Sequence, residues 1–182
     1  MRSHILTGSL LTALAFGMLS GCSSTPPKSP DVTDQIRNSL DQAGLKDVSV
    51  KQDRDKGVVT LSGTTQSDAD KSQAESIAKS IASTQVVANE IAVRPAGRET
   101  EAKDVDSDLD KGIEKNFDAV LVQHKLTHAV KYDVKHGVIT LTGKVNSPSQ
   151  RASVEKMAAA VPNVKQVVNE LEVKGQKATS SD

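Results

Sequence analysis

Residues 57–93 and 137–173 align without a gap at an offset of 80, and 12 of the 37 positions are identical. The first copy reads GVVTLSGTTQSDADKSQAESIAKSIASTQVVANEIAV and the second GVITLTGKVNSPSQRASVEKMAAAVPNVKQVVNELEV. An internal repeat of this length means that one folding unit was built twice, and it outweighs any local propensity. A duplicated unit suits a tandem binding protein better than a single-pocket enzyme. A Ser–His–Asp constellation is compatible with the composition, but neither copy carries nucleophile-elbow or P-loop spacing.

Within each unit the hydrophobic period changes in a fixed order. Val32, Ile36 and Leu40 step by four, as do Leu109, Ile113, Phe117 and Leu121, which predicts an opening amphipathic helix. Gly44 is a C′ stop for the first of these. Val48 and Val50, then Val130 and Tyr132, alternate as a short strand. A turn at Gly57 or Gly137 leads into a second strand, Val59/Leu61 or Ile139/Leu141, ending at Gly63 or Gly143.

A second helix opens at Ser67 or Ser147, the latter within the capping box Ser147-Pro148-Ser149-Gln150. Its expected buried stripe is Ala74, Ile77, Ala78 and Ile81, mirrored by Val154, Met157, Ala158 and Val161. A last strand alternates Val87, Asn89, Ile91, Val93 and Val167, Asn169, Leu171, Val173. The fold class is α+β: two tandem modules, each helix–strand–strand–helix–strand. In each, two helices cover one face of a three-stranded mixed sheet. The opposite face, with Lys51, Asp53, Thr60, Ser62 and Glu90 in one copy and Lys131, Asp133, Thr140, Thr142, Glu170 and Glu172 in the other, is expected to meet solvent.

The flanking segments set the remaining boundaries. Residues 1–21 read as a lipoprotein signal peptide: Arg2 supplies the positive charge, and Ile5 to Leu19 is apolar but shorter than the roughly 20 residues a spanning helix needs. It ends in Leu19-Ser20-Gly21-Cys22, which resembles a bacterial lipobox. Cys22, the chain's single cysteine, is then the lipidated N-terminus of the mature protein. Acylation there, palmitate included, exceeds the two-chain threshold for stable anchoring and leaves no thiol for a disulfide or metal site. Ser23 resembles a signal for the outer rather than the inner membrane. Residues 22–30 form a Pro/Ser tether, 31–93 the first module, 94–103 a polar linker, 104–173 the second module, and 174–182 a disordered tail.

Composition narrows the partners. After residue 22 the chain has 22 basic and 23 acidic side chains, since Arg2 is the only charged Asp, Glu, Lys or Arg removed from totals of 23 and 23. Nucleic-acid binders carry a basic excess that is missing here. Phe117 and Tyr132 are the only aromatics beyond the signal, too few for a base-stacking platform.

The string Gly-Val-(Val/Ile)-Thr-Leu-(Ser/Thr)-Gly, the helix carrying Ala78 or Ala158, and Val-(Ala/Val)-Asn-Glu-(Ile/Leu)-x-Val resemble the BON domain, named for bacterial osmotic-stress and nodulation proteins. The resemblance covers both modules. It implies a non-catalytic envelope protein, often one in contact with phospholipid. Ser83-Thr84 departs from the Gly-Val turn usual in the family, and the second copy has a longer loop after its first helix.

Site candidates follow. Lys125, Lys131, Lys135 and His136 lie along one loop–strand–turn segment of the second module with only Asp133 opposing, and form the candidate contact for anionic lipid. Near an anionic leaflet each lysine contributes about 1 kcal/mol, three about 3 before the Asp133 penalty. The competing reading is a solvated charged edge. His124, His128 and His136 fall at a helix end, on a strand and in a turn, so neither a metal site nor any cofactor is expected. Asn89 and Asn169 point to the apolar side and are expected to make structural hydrogen bonds. The resulting reading is a non-enzymatic, outer-membrane-anchored, periplasm-facing lipoprotein supporting membrane integrity or stress tolerance through phospholipid contact. The alternative is an adaptor binding an envelope assembly or secretion protein.

Overall fold

The computed structural model describes residues 28–174. The signal segment, Cys22 and most of the tether and tail lie outside the described residues. The first module runs α1 (Thr33–Gln42), β1 (Val48–Asp53), β2 (Val58–Thr65), α2 (Asp68–Ala82), β3 (Val86–Asn89) and β4 (Ala92–Val93). The second runs α3 (Glu99–Gln123), β5 (Val130–Lys135), β6 (Val138–Val145), α4 (Pro148–Ala159), β7 (Gln166–Asn169) and β8 (Glu172–Val173). In each, a central strand pairs antiparallel with the hairpin strand before it and parallel with the strand after the second helix.

The last strand is split in both copies without a change of register. Val58 faces Val86 in one half and Thr64 faces Ala92 in the other, a constant spacing along the chain. At the break Asn89 Oδ1 accepts the Ile91 N–H at 3.4 Å, and in the second copy Asn169 Oδ1 accepts the Leu171 N–H at 3.2 Å.

Each module has its own core. Ile36 and Leu40 of α1 meet Val59, Leu61 and Ile91 of the sheet and Ala74 and Ala78 of α2. Phe117 and Leu121 of α3 meet Ile139, Leu141 and Leu171 and Val154 and Ala158. α2 buries its alanines most deeply (Ala74, Ala78 and Ala82), while Ile77 and Ile81 are half-buried at the sides. Small residues at the centre let the helix lie close to the sheet. Gly63 and Gly143 serve the same end: a Cβ on either would sit 2.1 or 2.3 Å from a carbonyl oxygen of the loop before the first strand.

Three expectations change. Residues 99–103, placed in the polar linker, are helical: α3 begins at Glu99, after the turn at Pro95–Gly97, because Glu99 to Asp110 contains no residue that breaks a helix. Leu109 is not in the core but 38% exposed, as the first turns of α3 run beyond the edge of the second sheet. The sheet faces away from the helices are also not left to water alone. Val58 and Ala88 pack with Val138 and Val168, flanked by Val86, so the two modules meet face to face.

Candidate functional site

The seam between the modules gathers charged groups that sequence pattern alone leaves scattered. Gln166, at the start of β7, hydrogen-bonds the exposed edge of β3 with both ends of its amide: Oε1 accepts the Asn89 N–H at 3.1 Å and Nε2 donates to the Val87 carbonyl at 2.7 Å. One side chain thus satisfies an edge that would otherwise invite another strand. Beside it Lys56 pairs with Glu170 at 2.6 Å. That hydrogen bond is the largest influence on Lys56 and, against the cost of burial, holds its amine above the usual lysine range. The related carboxylate, Glu90, has only Lys135 at 4.0 Å, and burial pushes its carboxyl up.

The four residues of the candidate lipid patch are therefore not one free cationic surface. Lys135 binds Asp133 at 2.7 Å and turns toward Glu90. His136 and Gly137 form the two-residue turn between β5 and β6, with φ of 50° and 81°, the double positive φ of a type I′ hairpin. Asp110 of α3 accepts both turn N–H groups at 2.8 Å, and Asp106, one helical turn earlier, faces His136 Nδ1 at 3.3 Å. Asp106 also binds Arg94 at 2.6 Å, which ties α3 back to the first module. Lys125 and Lys131 remain exposed, with no ion pair among the described residues, at the opposite end of β5. Asp106 and Asp110 escaped sequence reading, although their i, i+4 spacing on a helix was available as a signal.

The remaining candidates have structural partners. Asn89 Nδ2 donates to Glu75 at 2.9 Å and Asn169 Nδ2 to Glu155 at 2.8 Å, so each amide joins its strand break to the helix above rather than to a loop. Burial acts to raise the Glu75 carboxyl, but the donors Asn89 and Lys79 outweigh it and hold it below the ordinary value. His124 caps α3, and His128 lies in the turn before β5, exposed, not on the inward face of a strand. Among the described residues no cluster of three or more metal-ligating side chains occurs, and no helix is long and apolar enough to cross a membrane.

Twin mixed sheets, each with a split third strand, coincide with two matches to the BON domain, over residues 29–95 and 109–175. The chain belongs to the BON-domain family. Osmotically-inducible protein Y of Escherichia coli (strain K12) is 30% identical over 144 residues, covering 79% of this chain and 71% of the relative. An uncharacterized protein of the gshII 5′ region of Anaplasma centrale is 37% identical over 59 residues, 32% of this chain and 39% of that protein. Among solved structures, CdsD, a structural protein of the type III secretion system of Chlamydia trachomatis, aligns over 78% of this BON-domain chain and 61% of its own, with 15% identity and a TM-score of 0.30. A superposition that loose carries nothing about function.

Proposed function

We propose that this BON-domain protein is a non-enzymatic envelope lipoprotein, held at the outer membrane by Cys22 and facing the periplasm, that supports stress tolerance through peripheral contact with anionic phospholipid. The observation that carries the reading is a strap. The Ser29 N–H donates to the Arg54 carbonyl at 2.9 Å, Arg54 Nε donates to the Ser29 carbonyl at 2.8 Å, Gln52 Nε2 donates to the Pro30 carbonyl at 2.7 Å, and Lys28 pairs with Asp55 at 3.4 Å. The chain is thus clamped to the β1–β2 turn from Ser29 onward. Ser29 is seven residue steps beyond Cys22, a reach of at most about 25 Å. A lipidated Cys22 would hold the first module against the bilayer and keep the second within a short distance of it, where a weak contact is amplified by effective concentration. The name of the Escherichia coli relative supports the stress setting.

Lys125 and Lys131 are the residues of the patch free to meet lipid, reducing its attraction to about 2 kcal/mol. In vesicle flotation with unlipidated protein at low salt, Lys125→Gln with Lys131→Gln should weaken binding to anionic vesicles, while Cys22→Ser should release the full chain from membranes into the soluble fraction. A Cys22→Ser protein that still sediments with membranes, or a double variant that floats like its parent, would count against the reading. The adaptor alternative draws on Val105 and Val122, 59% and 66% exposed on α3. It predicts a salt-tolerant protein complex instead.

A further inference from the structure

A cleft of about 360 Å³ opens along the seam, within the roughly 300–1,000 Å³ typical of small-molecule sites. Both modules build it. Lys71 of α2 enters from the first, Lys165 from the loop before β7 of the second, and Val93, Pro95 and Val105 form an apolar wall. Elsewhere in the seam each cation has a carboxylate: Lys56 has Glu170, Lys135 has Asp133 and Glu90, and Arg94 has Asp106. Lys71 and Lys165 have none within ion-pair distance among the described residues. The Lys71 amine spends one hydrogen bond on the Ile91 carbonyl at 2.7 Å. The Lys165 stem lies over Gly137, where a Cβ would meet its Cγ at 3.0 Å. Asp68 and Glu101 also line the cleft, and Asp106 is already shared between Arg94 and His136.

We propose that this cleft binds a small amphipathic anion, a phosphate or carboxylate head held between Lys71 and Lys165 with a short apolar arm against Val93, Pro95 and Val105. Burial, and after it the charge of Lys165, lowers the affinity of Lys71 for its proton. A bound anion relieves both costs. The site is distinct from a bilayer contact, because a flat surface does not enter a cleft between two domains, and it stands whether or not the chain meets lipid vesicles.

The test is calorimetric titration of the soluble chain, residues 23–182, at low salt with octyl phosphate and octanoate below their micelle concentrations, against inorganic phosphate and octanol. Saturable binding of the two amphiphilic anions is expected, at least tenfold tighter than inorganic phosphate, with octanol not binding. Lys165→Gln should weaken octyl phosphate about tenfold or more, the effect of one charge-assisted bond, and Lys71→Gln at least as much. Lys165→Gln keeps the Ile91 bond, so it separates loss of ligand from loss of fold. No saturable binding by the parent, equal affinity for inorganic phosphate, or unchanged affinity in folded Lys165→Gln would overturn the proposal.

Discussion

The two modules share the same layers and strand pairings and differ most at the ends of their hairpins. Ile36 in one core corresponds to Phe117 in the other, and Val50 to Tyr132, whose rings meet edge to face at 4.9 Å. The asparagine–glutamate link from split strand to helix is present in both. The left-handed position after the first helix is Gly44 in one and Lys125 in the other, and in each case the leucine that follows bonds back to the helix, Leu45 to Leu40 and Leu126 to Leu121. By contrast, the hairpin turn is longer in the first copy, with Lys56 reaching across the seam. It is a tight His136-Gly137 turn in the second, received by Asp110. Duplication preserved the layers that let each unit fold, and freed the ends of the hairpins to become the joint.

The comparison breaks first in the cores. Phe117→Ala should cost about 3–5 kcal/mol and Ile36→Ala about 2–5. Residue-resolved hydrogen exchange should show each loss in its own module, with protection in the other largely kept. Equal loss in both modules from either variant would make the seam strong enough to fold the chain as one unit.

Smaller effects are expected at the shared amide. Asn89→Ala and Asn169→Ala each remove a donor from a carboxylate on the helix and the acceptor of a backbone N–H, a penalty of about 1–3 kcal/mol. Asn89 is 3% exposed and Asn169 less buried, so urea denaturation should find the first module hurt more. An equal or inverted pair of values would show that the seam beside Asn89 contributes nothing to that cost.

The smallest effect sharpens the seam itself. Glu90 has a carboxyl raised by burial, opposed by Lys135 and assisted by Asp133. A carboxyl held higher in the folded than in the unfolded chain stabilises in its protonated form. Its contribution is therefore present below the ordinary value and lost as pH rises through the raised one. Glu90→Gln should flatten the loss of stability that the parent shows as pH rises above the ordinary carboxylate range. An unaltered slope would remove Glu90 from the seam's electrostatics.

Much of this was legible in residue order because hydrophobic period reports which face of an element meets its own sheet. Hairpins, helices and both cores follow from Val59/Leu61, Ile139/Leu141 and the four-residue steps of Ile36 and Phe117. The docking of one copy on the other was not legible. Val58, Ala88, Val138 and Val168 sit among polar neighbours on faces that look solvated within a single repeat, and a repeat carries no information about where its duplicate will lie. Leu109 misled for a related reason: spacing by four continues along a helix after the surface it packed on has ended. The lysine cluster looked continuous because, apart from Asp133, the carboxylates it faces, Glu90 and Asp106, lie outside that segment in the chain.

The helical character of the residues leading into the second module constrains how related proteins can diverge. The 25 residues of α3 span about 37 Å. In a flexible connection a gained or lost residue changes only slack. Here one gained or lost before Asp106 would turn the preceding helix and the first module by about 100° and shift them by about 1.5 Å against the second, parting Arg94 from Asp106. Relatives that keep the same joint should therefore vary this stretch by substitution, or by steps of about seven residues, near two full turns, with a new seam to match the added length.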